Sequence, residues 1–307
     1  VHHWDEYSDG TWTLKIRDVV SGDTGTLNSW SLNIYGTNNS QNSCLAGTYQ
    51  PTGQSSCIDA SAGYYVDTSG STMQTACAAG TYQPSIGQSS CIVASAGYYV
   101  NTSGSTIQTE CTVGTYQPST GQSSCIDASA GYYVSNPGST NQTACSPGTY
   151  NPYTASINST SCISTSAGYF ANVGSANQTA CAVGTYQPST GQSSCIDAST
   201  GYYVSNSGST NQTACGVGTY QPSPGQSSCM DSSPGYYVPN IGSSNQLICN
   251  SGTYQPNYGQ SSCIDSSPGY YVSNSGQTTQ SACVEGTYQP NYGQSSCIDS
   301  SPGYYVD

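Results

Sequence analysis

The chain has 307 residues, only 6% of them charged, and a formal net charge of −13. Leu, Ile, Val and Phe are too scarce to fill the cores of two or three ordinary domains, and one Phe and two Met stand against 28 Tyr. Lys15 and Arg17 are the only basic residues, which excludes the usual electrostatic routes to nucleic acid and to anionic lipid.

Several further bounds follow. Tyr buries its ring while its hydroxyl reaches water, which suits a thin structure in which most residues lie near the surface. Sixteen cysteines, an even number at regular spacing, point to an oxidising compartment: secreted, extracellular or on the cell surface. No apolar run approaches the ~20 residues needed to span a bilayer, so no membrane insertion is expected. No signal peptide is visible and the first residue is Val1, so the segment is expected to begin inside a longer precursor.

Residues 1–37 differ in kind from the rest. Trp12, Leu14 and Ile16 alternate with Thr13, Lys15 and Arg17, the pattern of a half-buried strand. Trp30, Leu32 and Ile34 alternate with Ser31, Asn33 and Tyr35, a second one, and Ser21 to Gly25 makes a turn between them. Two amphipathic strands need a facing sheet that so short a segment cannot supply. The stretches His3-Trp4, Gly10 to Leu14, Gly22 to Leu27, Ser29-Trp30 and Tyr35 to Thr37 resemble the end of a P domain. That is the β-sandwich that follows the protease domain in subtilisin-like proprotein convertases. The resemblance implies a longer chain before Val1 and brings no catalytic residues. It places His3 at a strand entry, so His2 and His3 beside Asp5 and Glu6 are not expected to form a metal or acid–base site. Asp18 and Asp23 in this segment are the candidate calcium ligands; no other cofactor is expected. Residues 38–43 read as a linker.

From residue 44 to 307 one pattern recurs with a period of 34, as in Cys181 to Cys215. A finer period lies inside it. A first glycine returns mostly every 17 residues, from Gly47 and Gly63 to Gly286 and Gly303, sixteen times in all. Two residues after it comes an aromatic, Tyr49, Tyr65 and so on, with Phe170 the one substitution, and a second glycine usually follows seven residues after the first.

The cysteines obey this half-repeat. In one half-repeat a Cys stands three residues before the first glycine and another four after the second, as Cys111 and Cys125 do. In the next, the same slots hold Ala128 and Gln142. Cysteines that are present or missing together are expected to bond to each other. That gives Cys44–Cys57, Cys77–Cys91, Cys111–Cys125, Cys145–Cys162, Cys181–Cys195, Cys215–Cys229, Cys249–Cys263 and Cys283–Cys297. The rival pairing across the longer intervals would leave Cys44 and Cys297 without partners. A loop of this length contributes about 3 kcal/mol, and ordering each residue costs about 1.5 kcal/mol. One crosslink per 34 residues therefore cannot hold a repeat alone, and the rest must come from stacking between neighbours.

The fold class expected is mostly irregular with small β elements: an elongated, disulfide-ribbed repeat rod of two-stranded ribs, with no helix and with contacts only between immediate neighbours. Gly-Tyr-Tyr-Val segments are the best short strands, and clusters of Gly, Pro, Asn and Ser mark turns. Residues 44–307 resemble the ephrin-receptor-like class of extracellular cysteine-rich repeats, through Cys-x-x-Gly-x-Tyr, a later Gly and a further Cys. This chain keeps one Cys at each junction where that family has two. The resemblance implies an extended extracellular region and assigns no chemistry.

Six Asn-x-Ser/Thr sequons, at Asn38, Asn101, Asn141, Asn158, Asn177 and Asn211, are the candidate glycan sites, and three of them share one slot in Asn-Gln-Thr. Asp59, Asp127, Asp197, Asp231, Asp265 and Asp299 recur two residues after a Cys. One carboxylate per repeat does not make a calcium site, which needs several converging oxygens, and reads as solvent-facing charge. There is no zinc spacing, nucleophile motif, phosphate loop or carboxylate pair, so no enzyme activity is expected. The leading expectation is a glycosylated structural shaft or fibre of an extracellular or cell-surface protein, self-associating or bound to other surface proteins. The alternatives are a ligand-binding or adhesive ectodomain and the non-catalytic C-terminal region of a secreted subtilisin-like protease.

Overall fold

The computed structural model describes residues 43–303 and a few positions between 19 and 29. The strands expected at 12–17 and 30–35, the linker up to residue 42, His2, His3, Asp18, Asp23 and Asn38 lie outside the described residues.

Among the described residues fifteen two-stranded antiparallel sheets follow one another, each strand two residues long. One pair shows how the sequence builds them. Gly80 adopts φ 87°, a left-handed turn conformation that a residue with a Cβ rarely takes. It delivers Thr81–Tyr82 to pair with Ile92–Val93, with Thr81 opposite Val93 and Tyr82 opposite Ile92. The next half-repeat does the same from Gly97, pairing Tyr98–Tyr99 with Thr109–Glu110. β-Branched and aromatic residues fill these strands, and the second glycines, Gly87 and Gly104, again at positive φ, turn the chain between them. Each such unit is one rib.

The ribs are joined by backbone hydrogen bonds. Gly80 N donates to Val100 O at 2.8 Å, Gln83 N to Ser105 O at 3.0 Å, and Gly104 N to Cys77 O at 2.8 Å. The first of these recurs from Gly47 N→Val66 O to Gly269 N→Gln289 O, and the second from Gln50 N→Ser71 O to Val272 N→Gln294 O.

Contacts reach further than immediate neighbours, contrary to expectation. A Cβ on Gly80 would fall on the carbonyl oxygen of Gly121, two ribs on, and one on Gly97 would fall on that of Gly138. The Tyr64 ring lies over Gly104, and the Asp59 carboxylate over Gly87, at the same two-rib distance. Each rib therefore packs on both the next and the one after. The glycines permit this because their backbone is bare on the approached side.

The core is a column one or two side chains wide. One slot, three residues before the first glycine, is buried from Cys44 to Ser266 and alternates at first between a small residue and a cysteine: Ala60, Cys77, Ala94, Cys111, Ala128, Cys145. Further along it holds Thr165, Ser232 and Ser266. The other slot, directly after the first strand, alternates Val66, Gln83, Val100 and Gln117 and is likewise buried. Small apolar residues suffice because the space between ribs is narrow, which is why the chain needs so little Leu and Phe.

The expectation of no helix is corrected at one place. Ser159–Ser161 forms a single 3-10 turn, with the Asn158 side chain accepting from Thr160 N at its start. It lies in the Cys145–Cys162 loop, whose sequence separation of 17 exceeds the 13 or 14 of the others. The extra residues coil locally and leave the ladder intact: Gly148 N still donates to Ala171 O at 2.8 Å.

The two roles of the first glycine give a paired test. Gly97→Ala should cost on the order of 1–3 kcal/mol of local stability from backbone strain alone, with the clash against Gly138 added. It should appear as lost amide protection across the flanking ribs in hydrogen-exchange mass spectrometry. Gly216→Ala should leave protection unchanged, because Gly216 is not at positive φ and no atom lies within 4 Å of the position its Cβ would take.

Candidate functional site

The recurring chemistry of the molecule is the clamp that closes each rib. In one kind of rib it is covalent. The structure joins Cys44–Cys57, Cys77–Cys91, Cys111–Cys125, Cys145–Cys162, Cys181–Cys195, Cys215–Cys229, Cys249–Cys263 and Cys283–Cys297, with Cα–Cα distances of 5.6–5.8 Å. No cysteine among the described residues is free.

In the alternate ribs the slot of the second cysteine holds a glutamine. Its Oε1 accepts a hydrogen bond from the backbone N–H next to the slot of the first cysteine. Gln74 takes it from Ser61 N, Gln108 from Ser95 N, Gln142 from Ser129 N and Gln178 from Ser166 N. Gln212, Gln246 and Gln280 repeat it with Ser199, Ser233 and Ser267, and all seven distances lie at 2.6–2.8 Å. A side-chain hydrogen bond thus spans the gap that a cystine spans in the neighbouring rib. Cystine ribs and glutamine ribs alternate, which is why the chemical period is twice the geometric one.

The cystine ribs carry a second glutamine, buried after the first strand. Gln117 Nε2 donates to Ser124 O at 2.8 Å, and its Oε1 accepts from Ser119 N at 3.1 Å. Gln83, Gln187, Gln221, Gln255 and Gln289 donate in the same way to the serine carbonyl seven residues on. Asn151 is too short for that reach and instead donates to Ser156 Oγ at 2.8 Å. No buried side-chain polar atom among the described residues lacks a partner, so these buried amides organise the loops without a desolvation penalty left open. Where the buried closing slot holds Ser232 or Ser266, its hydroxyl also bridges to the backbone of Gln260 or Gln294.

Sequence reasoning noticed Gln142 in the cysteine slot but read it as a missing cysteine. The signal was present: glutamine returns in that slot in every cysteine-free rib.

The five described sequon asparagines, Asn101, Asn141, Asn158, Asn177 and Asn211, are all exposed. Asn158 caps the 3-10 turn. Its Oδ1 accepts from both Thr160 N at 3.1 Å and Thr160 Oγ1 at 2.5 Å. In the periodic sequons the middle residue is the clamping glutamine and the Thr, as in Thr143 and Thr213, sits in the second strand. The recurrent aspartates remain apart. Among the described residues no three His, Cys, Asp or Glu side chains gather into a metal-binding group. One shallow depression, lined by Tyr99, Thr112, Thr115, Ser124 and Cys125, lies between two ribs and holds no convergent acid, base or nucleophile. Among the described residues no helix is long and apolar enough to cross a membrane.

This geometry defines a disulfide-ribbed tandem-repeat rod, and comparison with known families agrees with it. The model for the tyrosine-protein kinase ephrin type A/B receptor-like family matches residues 63–111, 97–145 and 168–215. The model for the proprotein convertase P-domain matches residues 1–34. The chain thus contains cysteine-rich repeats similar to those of the ephrin-receptor-like family, preceded by a segment that matches the P-domain model. No curated protein matches the chain as a relative.

The equivalence of the two clamps has a direct test. Gln142→Ala should destabilise its rib by about 1 kcal/mol, the net worth of one hydrogen bond, read as faster amide exchange over residues 129–144. Combining Ala128→Cys with Gln142→Cys should restore the clamp as a ninth disulfide. Non-reducing peptide mapping should find positions 128 and 142 joined, with the other eight pairs unchanged.

Proposed function

We propose that residues 44–307 form the glycosylated, non-catalytic shaft of an extracellular or cell-surface protein. The single observation that supports this reading is the constancy of the inter-rib contacts. The same glycine-to-carbonyl bond recurs from Gly47 to Gly269, through the long Cys145–Cys162 loop. A geometry repeated without change transmits length and stiffness. It does not gather unlike groups at one place, as catalysis or a unique pocket requires. The exposed sequons fit the same role, since glycans on a thin rod shield backbone that has no thick core beneath it.

A second reading has its own support: the match to ephrin-receptor-like repeats favours an ectodomain that binds a ligand or another surface protein. The P-domain match favours a third, the non-catalytic region that follows a secreted subtilisin-like protease.

Small-angle scattering and negative-stain imaging of the secreted chain separate the first reading from the second. The shaft reading expects rods of uniform width whose mass falls on enzymatic removal of N-glycans. Compact particles, or a rod that folds back on itself, would rule the shaft out. The residues encoded upstream of Val1 decide the third.

A further inference from the structure

Cystine ribs and glutamine ribs present different surfaces. In each cystine rib the second strand begins with a large apolar residue, from Ile58 and Ile92 to Ile298, with Met230 the only one that is not Ile. All eight are between 40 and 49% exposed. They recur 34 residues apart, except around the long Cys145–Cys162 loop, where three extra residues still deliver Ile163 to the slot. Each lies opposite a tyrosine, as Ile126 lies opposite Tyr116. In the glutamine ribs the same position is hydroxylic in six of seven cases, as Thr75, Thr109 and Ser281, with Leu247 the exception.

Cross-strand packing on tyrosine does not explain the isoleucines. Tyr65, Tyr99 and Tyr133 pair with threonine and their hairpins form equally well. Exposed apolar side chains repeated at one slot mark an interaction surface. A small or irregular partner would meet one or two of them. Only a partner with the same spacing meets the row, and a second copy of this chain carries that spacing.

Charge permits that approach. The residue after the isoleucine is an aspartate in most cystine ribs, and alternation along a strand turns it to the opposite face. There Asp59, Asp197, Asp231 and Asp265 lie over glycines of their own chain. These aspartates therefore stand on the strand face away from the isoleucine and its tyrosine, although the chain as a whole carries −13.

We propose that two copies associate side by side through the isoleucine–tyrosine row of their cystine ribs. This rests on the shaft reading and adds a partner to it. Because the row is periodic, pairs staggered by whole repeats are also compatible.

Sedimentation velocity of the full glycosylated chain across a concentration series tests the proposal. The wild-type chain should show reversible association that strengthens with salt, as repulsion between acidic rods is screened. The triple variant Ile126→Gln, Ile196→Gln, Ile264→Gln, which creates no new sequon, should weaken association at least ten-fold. Thr75→Ala with Thr109→Ala, in the equivalent slots of glutamine ribs, should leave it unchanged. Scattering on the variant and its non-reducing peptide map verify that the monomer is still the same rod. A wild-type chain that stays monomeric throughout, or a correctly folded triple variant that associates like wild type, overturns the proposal. An elongated monomer in that case leaves the shaft reading standing.

Discussion

The structure depends on one contact, the approach of a bare glycine backbone to the ribs ahead of it. At the first glycines from Gly47 to Gly252 the amide donates to the next rib, while the Cα faces the turn of the rib after that. Both demands fall on one residue, and so does the left-handed φ that directs the chain into its strand. No other residue meets the three together: a side chain would strain the backbone and fill the space that the following turn occupies. The period of about 17 residues is the distance along the chain at which this requirement returns, and everything else is arranged around it.

The clamps solve a different problem. A hairpin of two-residue strands is too short to stand alone, and its ends must be tied. A cystine does this chiefly by restricting the unfolded chain, with about 3 kcal/mol for a loop of this size. A glutamine accepting one backbone hydrogen bond contributes about 1 kcal/mol. Alternation of the two means that each weakly tied rib is flanked by strongly tied ones and packs on both sides. The packing across two ribs also brings like upon like, as Tyr64 of one glutamine rib reaches Gly104 of the next. Two interleaved series of ribs thus carry separate surface chemistries along one backbone.

The parts of this arrangement that were legible in the sequence are those in which chemistry forces a rare residue into a fixed place. Glycine at positive φ has few substitutes, so Gly47 through Gly303 announced the ribs. Tyr in the strands announced a thin structure with little interior. The parts not legible in the sequence depend on common residues whose partners are backbone groups. Gln74 and its counterparts bond to a backbone N–H, which leaves no mark in sequence. The buried Gln117 looked like one more polar residue in a polar chain, because its partners are again backbone groups. Contact across two ribs was hidden for a similar reason: glycine approaching a carbonyl is a relation between backbones. The single 3-10 turn at Ser159–Ser161 follows from a local insertion capped by Asn158, which a reading tuned to the period passes over.

The irregular rib shows how such a rod accommodates change. Between Cys145 and Cys162 the loop is longer, asparagine replaces the buried glutamine, and Ala155 takes the second glycine's place at φ 53°. Yet Thr165 N still closes on Gly148 O, and Ala155 N still reaches Ala128 O. The extra residues fall between Ala155 and Cys162, while the altered Asn151 and Ala155 keep their backbone bonds to neighbouring ribs. A linear array permits this because each rib answers only to the next two on either side, so a local change is absorbed rather than propagated. The same property reconciles a uniform shaft with local recognition. A distal loop can lengthen, carry a glycan or present a side chain such as Tyr153, 66% exposed, while the axis beneath it keeps its geometry.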